Sequence, residues 1–138
     1  MKNEHTLMLL FTFLFLITTQ KLQAQLIAGD IAFIGFNSQN PDAFSIVTLT
    51  EIAEGKIIYF TDNGWLASGN LRTGEGTISW TAPAGGVLKG AVIKFFDDTD
   101  WQTSVGTVSG AINPTTDGDQ ILAFTGNENS PNFIAAIQ

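Results

Sequence analysis

Hydrophobic residues follow two different patterns along the chain, one before residue 25 and one after it. Residues 7–19 form a continuous apolar run without a charged side chain. Beyond residue 25, short apolar or alternating runs recur, and each is followed by glycine, asparagine, aspartate or proline. Helical periodicity is almost absent there, and turns at such intervals are typical of β-sandwiches and barrels. The pattern predicts an all-β domain with strands at residues 26–36, 43–51, 56–62, 76–81, 90–96, 103–109, 119–125 and 132–137.

The side-chain pattern within the runs predicts which strands are covered. Residues 77–81 alternate strictly, so Ile78 and Trp80 are expected on a buried face and the threonines in water. Residues 31–36 and 57–60 are instead apolar at successive positions. Because a strand that is covered on both faces reads as a continuous apolar run, both segments are predicted to be central strands.

Residues 1–24 have the three parts of a secretory signal peptide, which are a short polar start, an apolar region and a small residue before the cleaved bond. Cleavage is predicted between Ala24 and Gln25, which leaves residues 25–138 as one exported domain. An uncleaved anchor is the alternative, but a spanning helix needs about 20 apolar residues. The run at residues 7–19 has only 13, and no cysteine is present to carry a lipid. The sequence therefore predicts a secreted or cell-surface protein without a stable membrane anchor.

The chain is acidic, with 13 Asp and Glu residues against 6 Lys and Arg residues and a net charge of −7. The predicted mature domain keeps few cations: Lys56, Arg72, Lys89 and Lys94. Binding to a phosphate backbone depends on clustered Lys and Arg side chains. Nucleic acid is therefore not expected as a partner of this domain, and neither is an anionic membrane surface.

Catalytic side chains are scarce in the predicted mature domain. The chain has no cysteine, and its only histidine, His5, lies in the predicted signal. This excludes Ser-His-Asp and Cys-His catalysis, histidine-ligated zinc and thiolate metal sites. A glycosidase would need two acids on opposite sides of a sugar-sized cleft. No spacing singles out a pair among the glutamates Glu51, Glu54, Glu75 and Glu128. The sequence thus predicts a domain that is not an enzyme and has no organic cofactor.

Acidic side chains gather in turns beside the predicted strands, where they suggest a metal ion. Asp97, Asp98 and Asp100 follow the strand at residues 90–96 within four positions. Calcium takes about six to eight oxygen ligands, several of them from loop carboxylates, and carboxylates this close repel one another without a cation. The alternative is that these residues only form a turn and keep an edge soluble. Both interpretations stay open: calcium bound by Asp97, Asp98 and Asp100, or turn formation alone. Other acidic turns contain Asp30, Asp62, Asp117 and Asp119.

Two tryptophans suggest a ligand site. Trp65 and Trp101 lie beside turns rich in glycine and aspartate, whereas Trp80 alternates with Ile78 and belongs to the predicted core. Exposed indoles stack on sugar faces, which would make Trp65 and Trp101 ligand-binding residues. Alternatively, both close the ends of the sandwich as apolar caps, because large aromatic side chains are mostly buried. The partner expected from the first interpretation is an extracellular ligand, either a carbohydrate or a cell-surface protein.

Several segments together carry a resemblance to a known family. They are residues 29–37 (GDIAFIGFN), 42–47 (DAFSIV), 61–65 (TDNGW), 73–80 (TGEGTISW) and 118–124 (GDQILAF). The series resembles a lamin-tail-like N-terminal module of large secreted or surface proteins of Gram-negative bacteria of the Bacteroidetes type. The resemblance implies an immunoglobulin-like β-sandwich of about seven to eight strands, without catalytic residues of its own.

Two functions are compatible with these expectations. The first is a non-catalytic secreted or cell-surface module with a binding, adhesion or spacer role. The second is an N-terminal accessory part of a larger secreted hydrolase, a nuclease or phosphatase, whose catalytic domain is absent here. Residues 132–138 end in the middle of a predicted strand, whereas domains usually end in a few polar residues past their last element. The β-sandwich domain at residues 25–138 is therefore expected to be truncated at its C-terminal end.

Overall fold

The computed structural model describes residues 24–116 and 118–138, which form nine strands and contain no helix. The predicted signal peptide, apart from Ala24, lies outside the described residues, and so does Asp117. The strands are β1 (Ile31–Asn37), β2 (Ala43–Thr48), β3 (Ile57–Thr61), β4 (Thr77–Thr81), β5 (Val92–Asp97), β6 (Trp101–Thr103), β7 (Thr107–Ala111), β8 (Ile121–Asn127) and β9 (Ser130–Ile137).

The strands form two antiparallel sheets, which confirms the predicted all-β sandwich. The four-stranded sheet has the order β1-β2-β5-β6, and the five-stranded sheet has the order β7-β4-β3-β8-β9. Sheets of four and five strands also make up variable-type immunoglobulin domains. The chain here reaches the inner strand β5 before the edge strand β6. An immunoglobulin domain places the edge strand first, since its sheet runs A-B-E-D.

The prediction of one strand at residues 103–109 is wrong, because the chain changes sheets within this segment. β6 pairs with β5 in the four-stranded sheet, and β7 pairs with β4 in the five-stranded sheet. Gly106 lies between them with a φ of +79°, and a Cβ there would collide with the carbonyl oxygen of Thr81 and the ring of Trp80. Glycine is the residue that tolerates both conditions. This crossing raises the number of strands above the seven to eight expected.

The prediction that residues 31–36 form a central strand is also wrong, since β1 is an edge of the four-stranded sheet. Ile34 is 55% exposed and lies at a register shift between Phe33 and Gly35. A β-bulge of this kind adds an unpaired residue and turns it out of the alternation. Residues 57–60 do lie in a central strand, β3, although Ile57 at its start is exposed. Successive apolar residues therefore mark a bulge in β1 and a partly covered outer face in β3.

The core lies between the two sheets and is rich in aromatic and β-branched side chains. Phe44, Phe60 and Phe95 contact one another, with ring centroids 4.5–5.0 Å apart. Ile78 and Trp80 are fully buried, which confirms the prediction made from their alternation. Burial of a side chain of this size contributes about 1.5–3 kcal/mol. In a chain without cysteine, this layer replaces the disulfides that many exported domains use for stability.

A hydrogen bond on each side of the sandwich connects the two sheets. On one side, the amide of Gly29 donates to the carbonyl oxygen of Ile134 at 3.0 Å and ties the start of β1 to β9. On the other side, Trp80 Nε1 donates to the carbonyl oxygen of Val105 at 2.7 Å and ties β4 to the crossing between β6 and β7. These bonds connect the two sheets, while β1, β6, β7 and β9 remain edge strands with a ladder partner on one side.

Candidate functional site

A row of in-register side chains crosses the outer face of the five-stranded sheet. From β7 to β9, the paired residues are Ser109, Ser79, Tyr59, Phe124 and Phe133. The Ser79 and Ser109 hydroxyl oxygens lie 3.2 Å apart. Tyr59 stacks on Phe124, with ring centroids 5.2 Å apart and planes at 20°. The row is therefore polar over β7 and β4 and aromatic over β3, β8 and β9.

The hairpin between β8 and β9 extends over this row. β8 pairs with β3 only as far as Phe124, and beyond it β8 and β9 continue as a two-stranded ribbon. At the tip, Glu128 Oε1 accepts a hydrogen bond from Thr77 Oγ1 at 2.8 Å, which places the tip above β4. Asn127 Oδ1 accepts a bond from the backbone N–H of Asn129 at 3.0 Å and fixes the turn. The hairpin thus forms a wall beside the outer face of the sheet.

Between the hairpin and the sheet lies an open groove of about 480 Å³, which we call the hairpin groove. Its lining offers aromatic rings, hydroxyls, amides and a carboxylate: Tyr59, Thr77, Ser79, Ser109, Gly110, Phe124, Asn127, Glu128 and Asn129. The volume is within the usual range for small-molecule sites. The described residues that line it include no cation and only one acid. Such a lining offers aromatic faces together with hydrogen-bond donors and acceptors.

Trp65 lies at the far end of the aromatic cluster that backs the hairpin groove. Its ring meets Phe133 edge-on at 5.0 Å, and Phe133 meets Phe124 at 6.1 Å. The indole is 47% exposed on a small loop in which Trp65 pairs with Leu71. Trp65 therefore presents a surface to solvent, as a ligand-binding role requires, but it is not part of the lining of the groove.

Trp101 is buried, as the alternative interpretation of an apolar cap expects. It is 5% exposed, and its ring lies 5.7 Å from that of Phe44 in the core. Its Nε1 donates to the carbonyl oxygen of Ile112 at 3.0 Å, which satisfies the buried indole and links β6 to the segment after β7. A ring buried in this way has no face on which a sugar could stack, so the structure does not bring Trp65 and Trp101 together as one site.

The residues predicted to bind calcium lie in the turn between β5 and β6. The backbone N–H of Asp97 donates to the carbonyl oxygen of Asp42 at 2.9 Å, and Asp98 and Asp100 are exposed. Burial, and to a smaller extent the neighbouring Asp97 carboxylate, raises the pKa of Asp42. Within residues 24–116 and 118–138, no group of three or more His, Cys, Asp or Glu side chains is arranged to hold a metal ion. The calcium site stays a prediction, and turn formation accounts for the observed contacts.

The buried carboxylate of the fold is Asp62, which in the sequence is one acidic turn residue among several. It is 2% exposed, and its two oxygens accept backbone N–H bonds from Gly76 at 2.6 Å and Asn113 at 2.8 Å. These bonds join residues 61–65 to residues 73–80, two of the segments that carry the family resemblance. The Asp62 carboxylate therefore connects the loop after β3, the loop before β4 and the loop after β7, which is a structural role. No periodic signal distinguishes a buried aspartate from an exposed one, so sequence analysis could not single it out.

The predicted cleavage pair, Ala24 and Gln25, is exposed at the beginning of the described chain. The next residue, Leu26, is buried, and its carbonyl oxygen accepts a bond from Asn132 Nδ2 at 2.8 Å. The predicted cleavage point thus lies one residue before Leu26, the first buried residue of the described chain. In the part of the chain that is described, no helix is long and apolar enough to cross a membrane.

No protein-family model matches the chain, and searches among curated proteins and solved structures also found no match. The lamin-tail-like resemblance therefore stays a prediction, and so does the alternative of an accessory part of a larger hydrolase. The function has to be inferred from the geometry of the hairpin groove and of the exposed Trp65.

Proposed function

We propose that residues 25–138 are an exported, non-catalytic module that binds an extracellular ligand in the hairpin groove. The observation that carries this proposal is the convergence of aromatic and polar side chains on one open space of about 480 Å³. Small-molecule sites typically combine an apolar wall with a few placed polar groups. Here the wall is the stacked pair Tyr59 and Phe124, and the polar groups come from β4, β7 and the hairpin.

The side chains of the domain support a binding role without catalysis. Residues 25–138 contain neither histidine nor cysteine, which are the usual activated nucleophiles and general bases. The acid in the groove, Glu128, accepts a hydrogen bond from Thr77. Hydrolysis of a glycosidic bond normally takes a second carboxylate across the cleft, and the lining described above contains only Glu128.

Export is the part of the proposal that rests on the N-terminal sequence. A cleavable signal at residues 1–24 would deliver a domain that begins at Gln25, just before the buried Leu26. Such a cut would leave the sandwich intact. The ligand is then expected outside the cell or at its surface.

The proposal is tested with residues 25–138, which include all nine strands. Incubation with nucleic acid, phosphate esters and glycans should give no turnover above that of a heat-denatured sample. In a bacterial host that expresses the full chain, the protein recovered outside the cytoplasm should begin at Gln25 by N-terminal sequencing. Turnover at enzyme-like rates would refute the non-catalytic role, and an intact N-terminus on cytoplasmic protein alone would refute export.

A further inference from the structure

We infer that the hairpin groove binds a neutral saccharide, an inference that rests on the proposed binding function and specifies its ligand. The first observation is the fixed aromatic platform. Tyr59 is half-buried and stacks on Phe124, which is fully buried and in turn meets Phe133 edge-on. The negative face of an aromatic ring attracts the C–H bonds on the flat face of a pyranose. A ring held from behind in this way loses little freedom when a sugar covers its other side.

The second observation is the mixture of hydrogen-bonding groups around that platform. The Ser79 and Ser109 hydroxyls bond to each other and can each take a further partner. Asn127 uses its Oδ1 within the hairpin turn, and among the described residues no hydrogen bond involves its Nδ2. Glu128 adds carboxylate oxygens. Every sugar hydroxyl both donates and accepts, so it matches a lining that offers donors and acceptors side by side.

The third observation is charge. The lining has no cationic side chain to pair with a phosphate, sulfate or uronate, and Glu128 would repel each of these groups. The net charge of the whole chain, −7, acts in the same direction. These facts favour a neutral glycan over nucleotides and anionic polysaccharides.

The position of the groove disfavours an extended peptide as the ligand. Peptides commonly bind by adding a strand to a free sheet edge, whereas this groove lies on the face of the sheet, over β3 and β4. The backbone of those inner strands is already paired on both sides. Recognition there must come from side chains, as it does for a sugar ring that lies on an aromatic platform.

The test uses isotope-labelled residues 25–138 and four neutral oligosaccharides, namely cellohexaose, xylohexaose, mannohexaose and chitohexaose. Polygalacturonate and a tryptic casein digest serve as the anionic and peptide probes. At least one neutral oligosaccharide should shift the amide resonances of Tyr59, Ser79 and Asn127 in NMR titrations at millimolar concentration. Polygalacturonate and the peptides should leave these resonances unchanged.

Matched variants locate the ligand, after thermal melting has shown that each one folds. Tyr59→Leu removes the platform and should weaken binding by about tenfold, equivalent to the loss of one aromatic contact. Tyr59→Phe keeps the ring and should stay within about threefold. Ser79→Ala should weaken binding by about fivefold. Ser45→Ala, a strand serine of the other sheet, should have no effect. Trp65→Leu, at the far end of the aromatic cluster, should weaken binding less than Tyr59→Leu does.

Several outcomes would overturn the inference, and they bear differently on the proposed function. Loss of binding in Trp65→Leu but not in Tyr59→Leu would move the saccharide out of the groove. Resonance shifts with polygalacturonate or the peptides but not with neutral oligosaccharides would refute the saccharide and leave a binding module. If no probe shifts the groove resonances, both the saccharide and the binding role fail. Cleavage of a bound oligosaccharide would refute only the non-catalytic role.

Discussion

Two acidic turns lie at the same end of the sandwich, one on each sheet, and they behave in opposite ways. Asp62 follows β3, is 2% exposed and accepts two backbone N–H bonds. Asp97, Asp98 and Asp100 follow or end β5 and lie at the surface, and Asp97 contributes to a raised pKa at Asp42. The carboxylate of the first turn is buried and connects three loops, whereas the second turn lies at the surface, where Asp97 repels the carboxylate of Asp42. The number of carboxylates is therefore a poor guide to which turn matters.

The difference arises from the backbone around each turn. A Cβ on Gly76 would collide with the backbone of Ala111 and Ile112, so the start of β4 lies directly against the end of β7. This close approach brings the amides of Gly76 and Asn113 to the two oxygens of Asp62. A buried carboxylate is tolerated when such donors replace its water.

Gly76→Ala should be the most damaging change, because the added methyl group must displace backbone atoms rather than a side-chain tip. We expect it to lower the free energy of unfolding by about 4 kcal/mol, or to prevent folding. The matched control is Gly74→Ala in the same loop. Gly74 has a φ of +106° but open space around it, so only backbone strain of about 1–2 kcal/mol is expected there. Urea denaturation measures both, and equal losses would show that the close approach at Gly76 is unimportant.

Asp62→Ala should remove the acceptor of two part-buried backbone amides, those of Gly76 and Asn113. Since a hydrogen bond to a charged group contributes about 1.5–3 kcal/mol, we expect a loss of about 2–3 kcal/mol for the pair. Asp98→Ala in the surface turn should change stability by less than about 0.5 kcal/mol. Urea denaturation again provides the measurement. A larger loss for Asp98→Ala than for Asp62→Ala would reverse the roles assigned to the two turns.

Asp97→Asn should slightly stabilise the protein at neutral pH. Burial is the larger cause of the raised pKa of Asp42, and the Asp97 carboxylate is the smaller one. A raised pKa means that the folded protein binds the proton more tightly than the unfolded chain does, so stability falls as the pH rises above the ordinary value of 3.8. Removing Asp97 relieves part of this loss, and the Tm at pH 7 should rise by about 1–2 °C.

The advantage of Asp97→Asn should disappear below a pH of about 3, where the Asp42 carboxyl is protonated in both the folded and the unfolded state. Thermal melts over this pH range would show it, with Asp98→Asn as a control that lacks the contact to Asp42. An increase in Tm that is the same at every pH would mean that the charge on Asp97 is not its cause.

Addition of calcium should have the smallest effect on stability among these tests. Because Asp97, Asp98 and Asp100 do not form a three-carboxylate group in the described structure, excess calcium should leave the Tm within about 1 °C of its value with chelator. A ligand that binds only the folded state must raise the Tm. An increase that is lost in Asp98→Asn would therefore establish the calcium site.

The sequence predicts what depends on local alternation and misses what depends on pairing between distant strands. The alternation around Ile78 and Trp80 correctly identifies a half-buried strand, because adjacent side chains of a strand always point to opposite faces. Local alternation does not describe the change of sheet at Gly106, since residues 103–109 read TSVGTVS and their two valines are three positions apart. The change depends on the close contact of Gly106 with β4, which is remote in the sequence.

The hairpin groove is invisible in the sequence for the same reason. Ser79 and Tyr59 become neighbours only through the register between β3 and β4, and Ser109 joins them through a second register. The β8–β9 hairpin then adds Glu128, which meets Thr77 across the face of the sheet. Trp65 and Trp101 have similar neighbours in the sequence, yet Trp65 is half-exposed and Trp101 is buried. Their difference is set by tertiary packing rather than by the glycine and aspartate residues beside them.

The hydrogen bond between Gly29 and Ile134 also has a consequence for the order of events during synthesis. It joins the first and last strands, so one side of the sandwich stays open until β9 has left the ribosome. Chains dominated by contacts distant in sequence fold slowly, within about milliseconds to seconds. Until β9 is made, such a chain lacks the contact that closes this side of the sandwich. If the chain is exported as proposed, pairing of β9 would complete the fold only after the whole chain has crossed the membrane.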